Sequence, residues 1–246
     1  MMFYTKKPKM IFFDVGGTLF KDGKCIPCDG FERLRLSAVN PEITTSIKLS
    51  EYWDKFLKET SEIKSDSGIK LDIPLSSVLK YATMNTGLIL NIPMAEQEEI
   101  FDRNNSDRQV INGVPELLSL LDSLGIRTAV ISNNMMSGES LALSIKRWIP
   151  SANFEFCLTS SDILFAKPSK EIFAAAIKYA CVDASDCWYC GDGRIPDVFG
   201  ASSFGISPIL LDTDSSVPLE YRSDEYCDRY LCVNNWNELI KYIQNI

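Results

Sequence analysis

Short apolar runs alternate with longer amphipathic segments from about residue 110 onward, and one similar run stands alone at residues 10–13. An apolar run bounded by turn residues predicts a buried strand, whereas apolar positions three and four apart predict a helix. The predicted strands are "MIFF", "IRTAVIS", "FEFCLTS", "CWYCGDG", "SPILLD" and "RYLCVN". The predicted helices are "GVPELLSLLDSLG", "MMSGESLALSIKRWI", "PSKEIFAAAIKYA", "PDVFGASSF" and "WNELIKYIQNI". This alternation predicts an α/β fold with a doubly wound, mostly parallel sheet that is covered on both faces.

A block of different character separates the first predicted strand from the others. It contains "PEITTSIKLSEYWDKFLKETSEIK", with apolar residues at roughly helical spacing, and the segments "PLSSVLKYATMNTGLIL" and "PMAEQEEIFDRNN", each opened by a proline. We therefore predict an all-helical domain at residues 25–108, inserted into a core formed by residues 1–24 and 109–246. Between Phe20 and Ile26, the pair Asp22-Gly23 predicts a hairpin turn.

Composition and charge narrow the classes of function. The chain has 246 residues, 46% of them hydrophobic and 24% charged, as in ordinary globular proteins. A formal charge of −8 argues against a nucleic-acid partner, which needs clustered Lys and Arg, but it is compatible with a small anionic substrate. No apolar stretch is long enough to span a bilayer, and the lysines of "MMFYTKKPKM" precede no apolar segment of a signal peptide. We expect a cytoplasmic protein.

Eight cysteines and the absence of histidine bear on the candidate chemistry. Two C-x-x-C pairs, "CIPC" and "CWYC", have a spacing that can bind zinc. Strand alternation points Cys187 and Cys190 to opposite faces, which favours free thiols instead. Without histidine, Ser-His and Cys-His nucleophiles are excluded, so the chemistry must use carboxylates, lysine, hydroxyls or a metal.

Polar residues follow several of the predicted strands. In parallel sheets the reactive groups lie at the carboxyl ends of the strands, so these residues are expected to share one crevice. They are Asp14 and Thr18 after the first strand, Ser132 and Asn133 after "TAVI", Lys167 before a helix opened by proline, and Asp192 and Asp197 after "WYCG".

The charges of these residues indicate phosphoryl chemistry. Asp14 and Asp192 supply the hard oxygen ligands that Mg²⁺ prefers. A carboxylate beside Mg²⁺ is a competent nucleophile toward phosphorus and would form an aspartyl-phosphate. Lys167 and the hydroxyl of Ser132 would stabilise the charge that develops on the phosphoryl oxygens.

Four motifs in order resemble those of the haloacid dehalogenase superfamily. They are "DVGGT" from Asp14, "ISN" ending at Asn133, "KPSKEIF" from Lys167 and "GDGRIPD" ending at Asp197. The chain is most similar to members with a helical cap inserted after the first strand. The resemblance implies a Rossmann-like core and a Mg²⁺-dependent phosphatase that acts on a small phosphorylated metabolite.

The resemblance also implies a role for each residue of these motifs. Asp14 would be the nucleophile and a metal ligand. The backbone carbonyl of Gly16 and the side chain of Asp192 would complete the protein ligands, and Asp197 would hold the metal waters or the lysine. The phosphoryl group would be bound by Thr18, Ser132, Asn133 and Lys167.

Position 16 departs from the family pattern. Family phosphatases usually have an aspartate there, which protonates the leaving oxygen and then activates water. Gly16 keeps the carbonyl but not the acid, and proton transfer of this kind is typically worth about 10² to 10⁴ in rate. We expect aryl and acyl phosphates to be favoured over alkyl phosphates, unless Asp22 or Asp29 supplies the proton.

Two other interpretations of the same scaffold remain open. One is a different reaction, either dehalogenation, which needs no metal, or phosphonate hydrolysis, which needs a Schiff-base lysine from the cap. The candidates for that lysine are Lys48, Lys55, Lys58, Lys64, Lys70 and Lys80. The second interpretation is a non-enzymatic descendant that binds a phosphorylated ligand or a protein partner.

Overall fold

The computed structural model describes residues 4–67, 72–104 and 107–246. Its strands, numbered in chain order, are β1 (Met10–Phe13), β2 (Phe20–Lys21), β3 (Gln109–Val110), β4 (Arg127–Ser132), β5 (Cys157–Thr159), β6 (Cys187–Gly191), β7 (Ser207–Leu211), β8 (Leu219–Arg222) and β9 (Tyr230–Val233). Its α-helices are α1 (Pro27–Leu36), α2 (Ser46–Ser67), α3 (Leu75–Thr86), α4 (Met94–Asp102), α5 (Val114–Ser123), α6 (Gly138–Trp148), α7 (Ser160–Ile163), α8 (Lys170–Ala180), α9 (Gly200–Ser203) and α10 (Trp236–Gln244).

Seven strands form one sheet in the order β5-β4-β1-β6-β7-β9-β8. Within it, β1 lies between β4 and β6 and pairs with both in parallel, and β8 pairs with β9 in an antiparallel direction. Strand order reverses on the two sides of β1, as in a doubly wound sheet. The predicted α/β fold with a mostly parallel sheet is confirmed.

Hydrophobic side chains fill both faces of this sheet. Ile11 and Phe13 of β1 pack in one cluster with residues of α5 and α10, whereas Met10 and Phe12 pack in a second cluster with residues of α8. The same alternation in β6 puts Cys190 in the first cluster and Cys187 in the second. The predicted separation of this cysteine pair by the two faces of a strand is confirmed.

Helices α1 to α4 form a separate layer with its own hydrophobic cluster. Phe31, Trp53 and Phe101 are at its centre, with ring centroids 5.1 to 6.1 Å apart. We call this layer the cap. As predicted, prolines precede two of its helices, since Pro74 and Pro93 are the residues immediately before α3 and α4.

Polar contacts join the cap to helix α6 of the core. The buried carboxylate of Glu98 in α4 accepts hydrogen bonds from the backbone N–H and the hydroxyl of Ser137, at 2.9 and 2.6 Å. Ser137 is the N-cap residue of α6. Farther along the same helix, the hydroxyl of Ser144 donates to Asp102 at 2.7 Å.

Local structure differs from the predictions at two segments, and one strand was not predicted. The hairpin at Asp22-Gly23 is wrong, because β2 pairs with the distant β3 and residue Ile26 precedes helix α1. The strand predicted as "FEFCLTS" is limited to β5, and β8 was not predicted.

No helix of the described part of the chain combines the length and apolar character needed to cross a membrane.

Candidate active site

Asp14 lies directly after β1, at the carboxyl edge of the sheet, and faces a buried lysine. Lys167 Nζ is 2.8 Å from Asp14 Oδ1, 2.6 Å from Asp197 Oδ1 and 2.6 Å from the hydroxyl of Tyr189. The side chain of Lys167 is only 2% exposed. One buried cation therefore contacts two carboxylates, and the motifs that are far apart in sequence meet at this point.

Asp197 is positioned by an irregular helical segment. It belongs to a π-helical stretch at Arg194–Phe199, a helix type that is frequent at functional sites. Its Oδ2 accepts from the backbone N–H of Gly193 at 2.8 Å, so both carboxylate oxygens are engaged. Asp197 is 2% exposed, which places it behind Lys167.

Tyr189 was not among the site residues predicted from the sequence. This residue of β6 is fully buried, and its hydroxyl donates to the backbone carbonyl of Ile131 at 2.9 Å while accepting from Lys167. Burial and the neighbouring charge of Asp197 raise the pKa of Tyr189 well above its usual value, so it stays a neutral donor. Its position in a buried strand was predictable, but its polar contact was not.

The electrostatics of the cluster favour a further positive charge. Burial raises the pKa of Asp14, and the charge of Asp197 adds to this effect against the attraction of Lys167. For Lys167, burial would lower the pKa, but the charges of Asp14 and Asp197 outweigh it and keep the lysine protonated. Burial, followed by the charges of Asp14 and Asp197, raises the pKa of Asp192 to about 6. Three carboxylates thus share a single ammonium group.

The geometry of these carboxylates suits a hard divalent cation. Oxygens of Asp14, Asp192 and Asp197 lie within 4.8 Å of one another. A Cβ atom at Gly17 would lie 2.0 Å from Asp192 Oδ2, so only glycine lets this carboxylate approach the loop after β1. Crowded oxygen ligands with excess negative charge are what Mg²⁺ requires, and the residues therefore fit the ion implied by the motifs.

Asn133 holds the loop that carries the lysine. Its side-chain oxygen accepts from the backbone N–H of Lys167 at 2.7 Å, and its side-chain nitrogen donates to the carbonyl of Lys167 at 3.0 Å. Ser132, at the end of β4, is 2% exposed. In this structure Asn133 acts on the backbone of Lys167, and its contact with a phosphoryl group stays a prediction.

Thr18 lies deeper than the other predicted residues. Its side chain is fully buried with no hydrogen-bond partner for the hydroxyl, and its carbonyl accepts from the indole N–H of Trp236 at 2.9 Å. The structure therefore does not bring Thr18 into the cluster around Lys167. Its predicted role in substrate binding stays untested.

The cap lysines that were candidates for a Schiff base are on the surface where they are described. A Schiff-base lysine is activated by desolvation or by a neighbouring cation, and neither condition holds for an exposed side chain paired with glutamate. Exposed lysines are Lys48, Lys55, Lys58 and Lys80, of which the first two pair with Glu51 and Glu59. Lys70 and the side chain of Lys64 lie outside the described residues.

This combination of fold and site matches a known family. The family model described as haloacid dehalogenase-like hydrolase matches residues 41–211. The match covers well over half of the chain, which therefore belongs to this family of hydrolases. The resemblance inferred from the four sequence motifs is confirmed.

Individual relatives agree with this assignment. The glyceraldehyde 3-phosphate phosphatase of Methanothermobacter thermautotrophicus is 25% identical over 216 residues, which cover 84% of this chain and 86% of that protein. A 2-haloacid dehalogenase from Pseudomonas syringae superposes with a TM-score of 0.57 and 21% identity, covering 97% and 99% of the two chains. For a phosphatase of the same superfamily from Thermococcus onnurineus the TM-score is 0.54 and the identity 18%, over 96% and 97%. At these identities the two structures support the fold alone.

Proposed function

We propose that this hydrolase is a Mg²⁺-dependent phosphatase that transfers the phosphoryl group of a small metabolite to Asp14. The observation that carries the proposal is the cluster of carboxylates of Asp14, Asp192 and Asp197, two of which, Asp14 and Asp197, pair with the buried Lys167. Dehalogenation requires a nucleophilic carboxylate but no metal, so it leaves the crowding of Asp192 unexplained. Phosphoryl transfer uses all of these groups.

Each residue of the cluster would have a defined task. Asp14 Oδ2 attacks phosphorus while its Oδ1 stays bound to Lys167, which fixes the carboxylate and neutralises the phosphoryl oxygens. Asp14, Asp192 and the carbonyl of Gly16 would hold Mg²⁺, with Asp197 anchoring the lysine. The ion, when bound, supplies charge neutralisation for the carboxylates and the phosphoryl group.

The substrate class is proposed from the activity of one relative. The archaeal relative is named for the phosphatase activity that it has on glyceraldehyde 3-phosphate, a small phosphorylated metabolite. We propose a substrate of similar size and charge for this chain. Residues 25–108 would form the cap over that substrate, with bounds as predicted from the sequence.

The proposal is tested by assaying the purified protein with Mg²⁺ on p-nitrophenyl phosphate and a panel of phosphorylated metabolites. We expect phosphate release that EDTA stops and that Asp14→Asn reduces below detection, because the variant has no nucleophile. The matched control is Asp54→Asn, which changes an exposed aspartate of α2 and should retain wild-type rates. Halide release from a 2-haloacid without added metal, in place of phosphate release, would contradict the proposal and favour dehalogenation.

A further inference from the structure

A carboxylate from another segment lies beside Gly16. Oδ2 of Asp22 is 3.1 Å from the point where a Cβ atom on Gly16 would lie. An acid at position 16 would extend its side chain into this space. Position 16 has no acid of its own, but the carboxylate of Asp22, eight residues after the nucleophile in sequence, lies close to where the side chain of such an acid would begin.

A buried arginine holds this carboxylate in position. Arg108 Nε donates to Asp22 Oδ1 at 2.9 Å, and Arg108 is itself only 8% exposed. Its two terminal nitrogens donate to Asp102 at 2.8 and 3.1 Å, and one of them also reaches the hydroxyl of Ser144 at 3.1 Å. The arginine is fixed by these bonds, and its position next to β3 fixes Asp22 next to β2.

Charge and exposure are compatible with a proton-transfer role. Asp102 accepts from both terminal nitrogens of Arg108, so Asp22 is not the only carboxylate that balances the charge of this arginine. The side chain of Asp22 is 46% exposed, so it can exchange protons with water. Oδ1 of Asp22 accepts from Arg108, and Oδ2 lies 3.1 Å from the Cβ position of Gly16, in the loop after the nucleophile.

We infer that Asp22 is the proton-transfer residue of the active site and replaces the acid that is absent at Gly16. The inference rests on the proposed phosphatase function. In the first step Asp14 bonds to phosphorus, the bond from phosphorus to the leaving oxygen breaks, and that oxygen takes its electron pair and the proton of Asp22. In the second step Asp22 removes a proton from water, the water oxygen bonds to phosphorus, and the acyl-phosphate bond breaks with its electron pair returning to Asp14. The sum is one ester and one water converted to one alcohol and one phosphate.

The inference is tested with Asp22→Ser, which keeps a polar acceptor for Arg108. Serine is preferred to asparagine because asparagine before Gly23 would be prone to deamidation. On the best alkyl phosphate of the metabolite panel we expect the kcat of the variant to fall by about 10² to 10⁴, the usual worth of a general acid or base. On p-nitrophenyl phosphate, whose leaving group departs as an anion, we expect a burst of p-nitrophenolate, followed by slow turnover and acid-trapped phosphoenzyme.

The decisive control is rescue from position 16. On the alkyl phosphate, the double variant Gly16→Asp/Asp22→Ser should have a kcat at least ten times that of Asp22→Ser alone. Gly16→Asp alone should not increase the rate, because the new carboxylate would meet that of Asp22. Such non-additivity is expected only for two groups that share one place. Asp54→Asn serves as the unaffected control, and thermal unfolding shows whether each variant is folded.

The outcomes separate this inference from the function on which it rests. Unchanged rates of folded Asp22→Ser on the alkyl phosphate, with no burst on the aryl phosphate, would overturn the inference and leave the phosphatase proposal standing. A wild-type protein that hydrolyses neither ester with Mg²⁺ overturns both. If Asp22→Ser is unfolded, Asp22→Ala is assayed in its place, with the same outcomes.

Discussion

At the scale of single residues, the close approach of Asp192 to the backbone of Gly17 determines whether the proposed site can hold Mg²⁺. Gly17 has a φ of +67°, a left-handed conformation that glycine adopts without the cost incurred by other residues. Its lack of a side chain also leaves room for the carboxylate of Asp192. Two separate requirements thus fall on one glycine, and a second glycine of the chain allows them to be distinguished.

Gly17→Ala is expected to weaken Mg²⁺ binding at least tenfold, because the new methyl group would displace Asp192. Gly125→Ala is the matched control, since Gly125 has a φ of +66° with no atom within 4 Å of its would-be Cβ. Both variants should lose about 1–2 kcal/mol of stability from the left-handed backbone. Titration calorimetry and urea unfolding measure the two effects, and equal Mg²⁺ affinities in the two variants would show that Asp192 is not displaced.

At the scale of elements, the attachment of the cap depends on buried polar bonds. Glu98 of α4 is 1% exposed and accepts two hydrogen bonds at the N-terminus of α6, where a negative charge is favoured. Asp102, one turn after Glu98 in α4, accepts a hydrogen bond from the hydroxyl of Ser144 in α6. Two adjacent helices of different layers are therefore fixed to each other in register.

Glu98→Ala is expected to lower the free energy of unfolding by about 3 kcal/mol, because hydrogen bonds to charged groups contribute about 1.5–3 kcal/mol and the backbone N–H of Ser137 loses its partner. Glu96→Ala, at an exposed position of the same helix, should change it by less than about 0.5 kcal/mol. Urea unfolding of both variants measures the difference. Equal losses would mean that this contact does not stabilise the attachment.

At the scale of the whole molecule, strand ends were predictable and side-chain partners were not. Apolar runs located the strands that end just before Asp14 and Asp192, and the edge rule for parallel sheets predicted that the residues following these strands would meet. The contact of Tyr189 with Lys167 has no signature in a strand pattern, which records burial alone. The hairpin after Phe20 failed because its true partner, Gln109–Val110, lies beyond the whole cap in sequence, and a turn motif reports only local pairing.

The pKa of Asp192 makes the stability of the metal-free molecule dependent on pH. It rises from a usual value of 3.8 to about 6 in the fold, so the stabilising effect of the protonated form is complete below about pH 4 and is lost as the pH rises through about 6. Asp192→Asn mimics the protonated form. In EDTA, its Tm relative to wild type should therefore increase between about pH 4.5 and about pH 7.5.

At about pH 7.5, excess Mg²⁺ should make the Tm of the wild-type protein higher than that of Asp192→Asn. The reason is that only the wild-type protein is stabilised by binding the ion. Asp214→Asn, at an exposed position after β7, is the control and should show no trend with pH. Differential scanning calorimetry over this pH range measures the Tm values. A constant difference between wild type and Asp192→Asn would contradict the electrostatic explanation.

The central place of β1 has a consequence for the order of events on the ribosome. This strand is the first of the sheet to be made, and both of its neighbours, β4 and β6, are made more than a hundred residues later. The nascent β1 segment therefore has neither of these neighbours until the chain has been made past Ser132, and it gains the second one only past Gly191. The cap helices between them are contiguous in sequence and share a hydrophobic cluster, so they can associate during this interval. The segment that bears the proposed nucleophile is thus made before the rest of the sheet, yet it gains both of its neighbours only after the cap and β5 have been made.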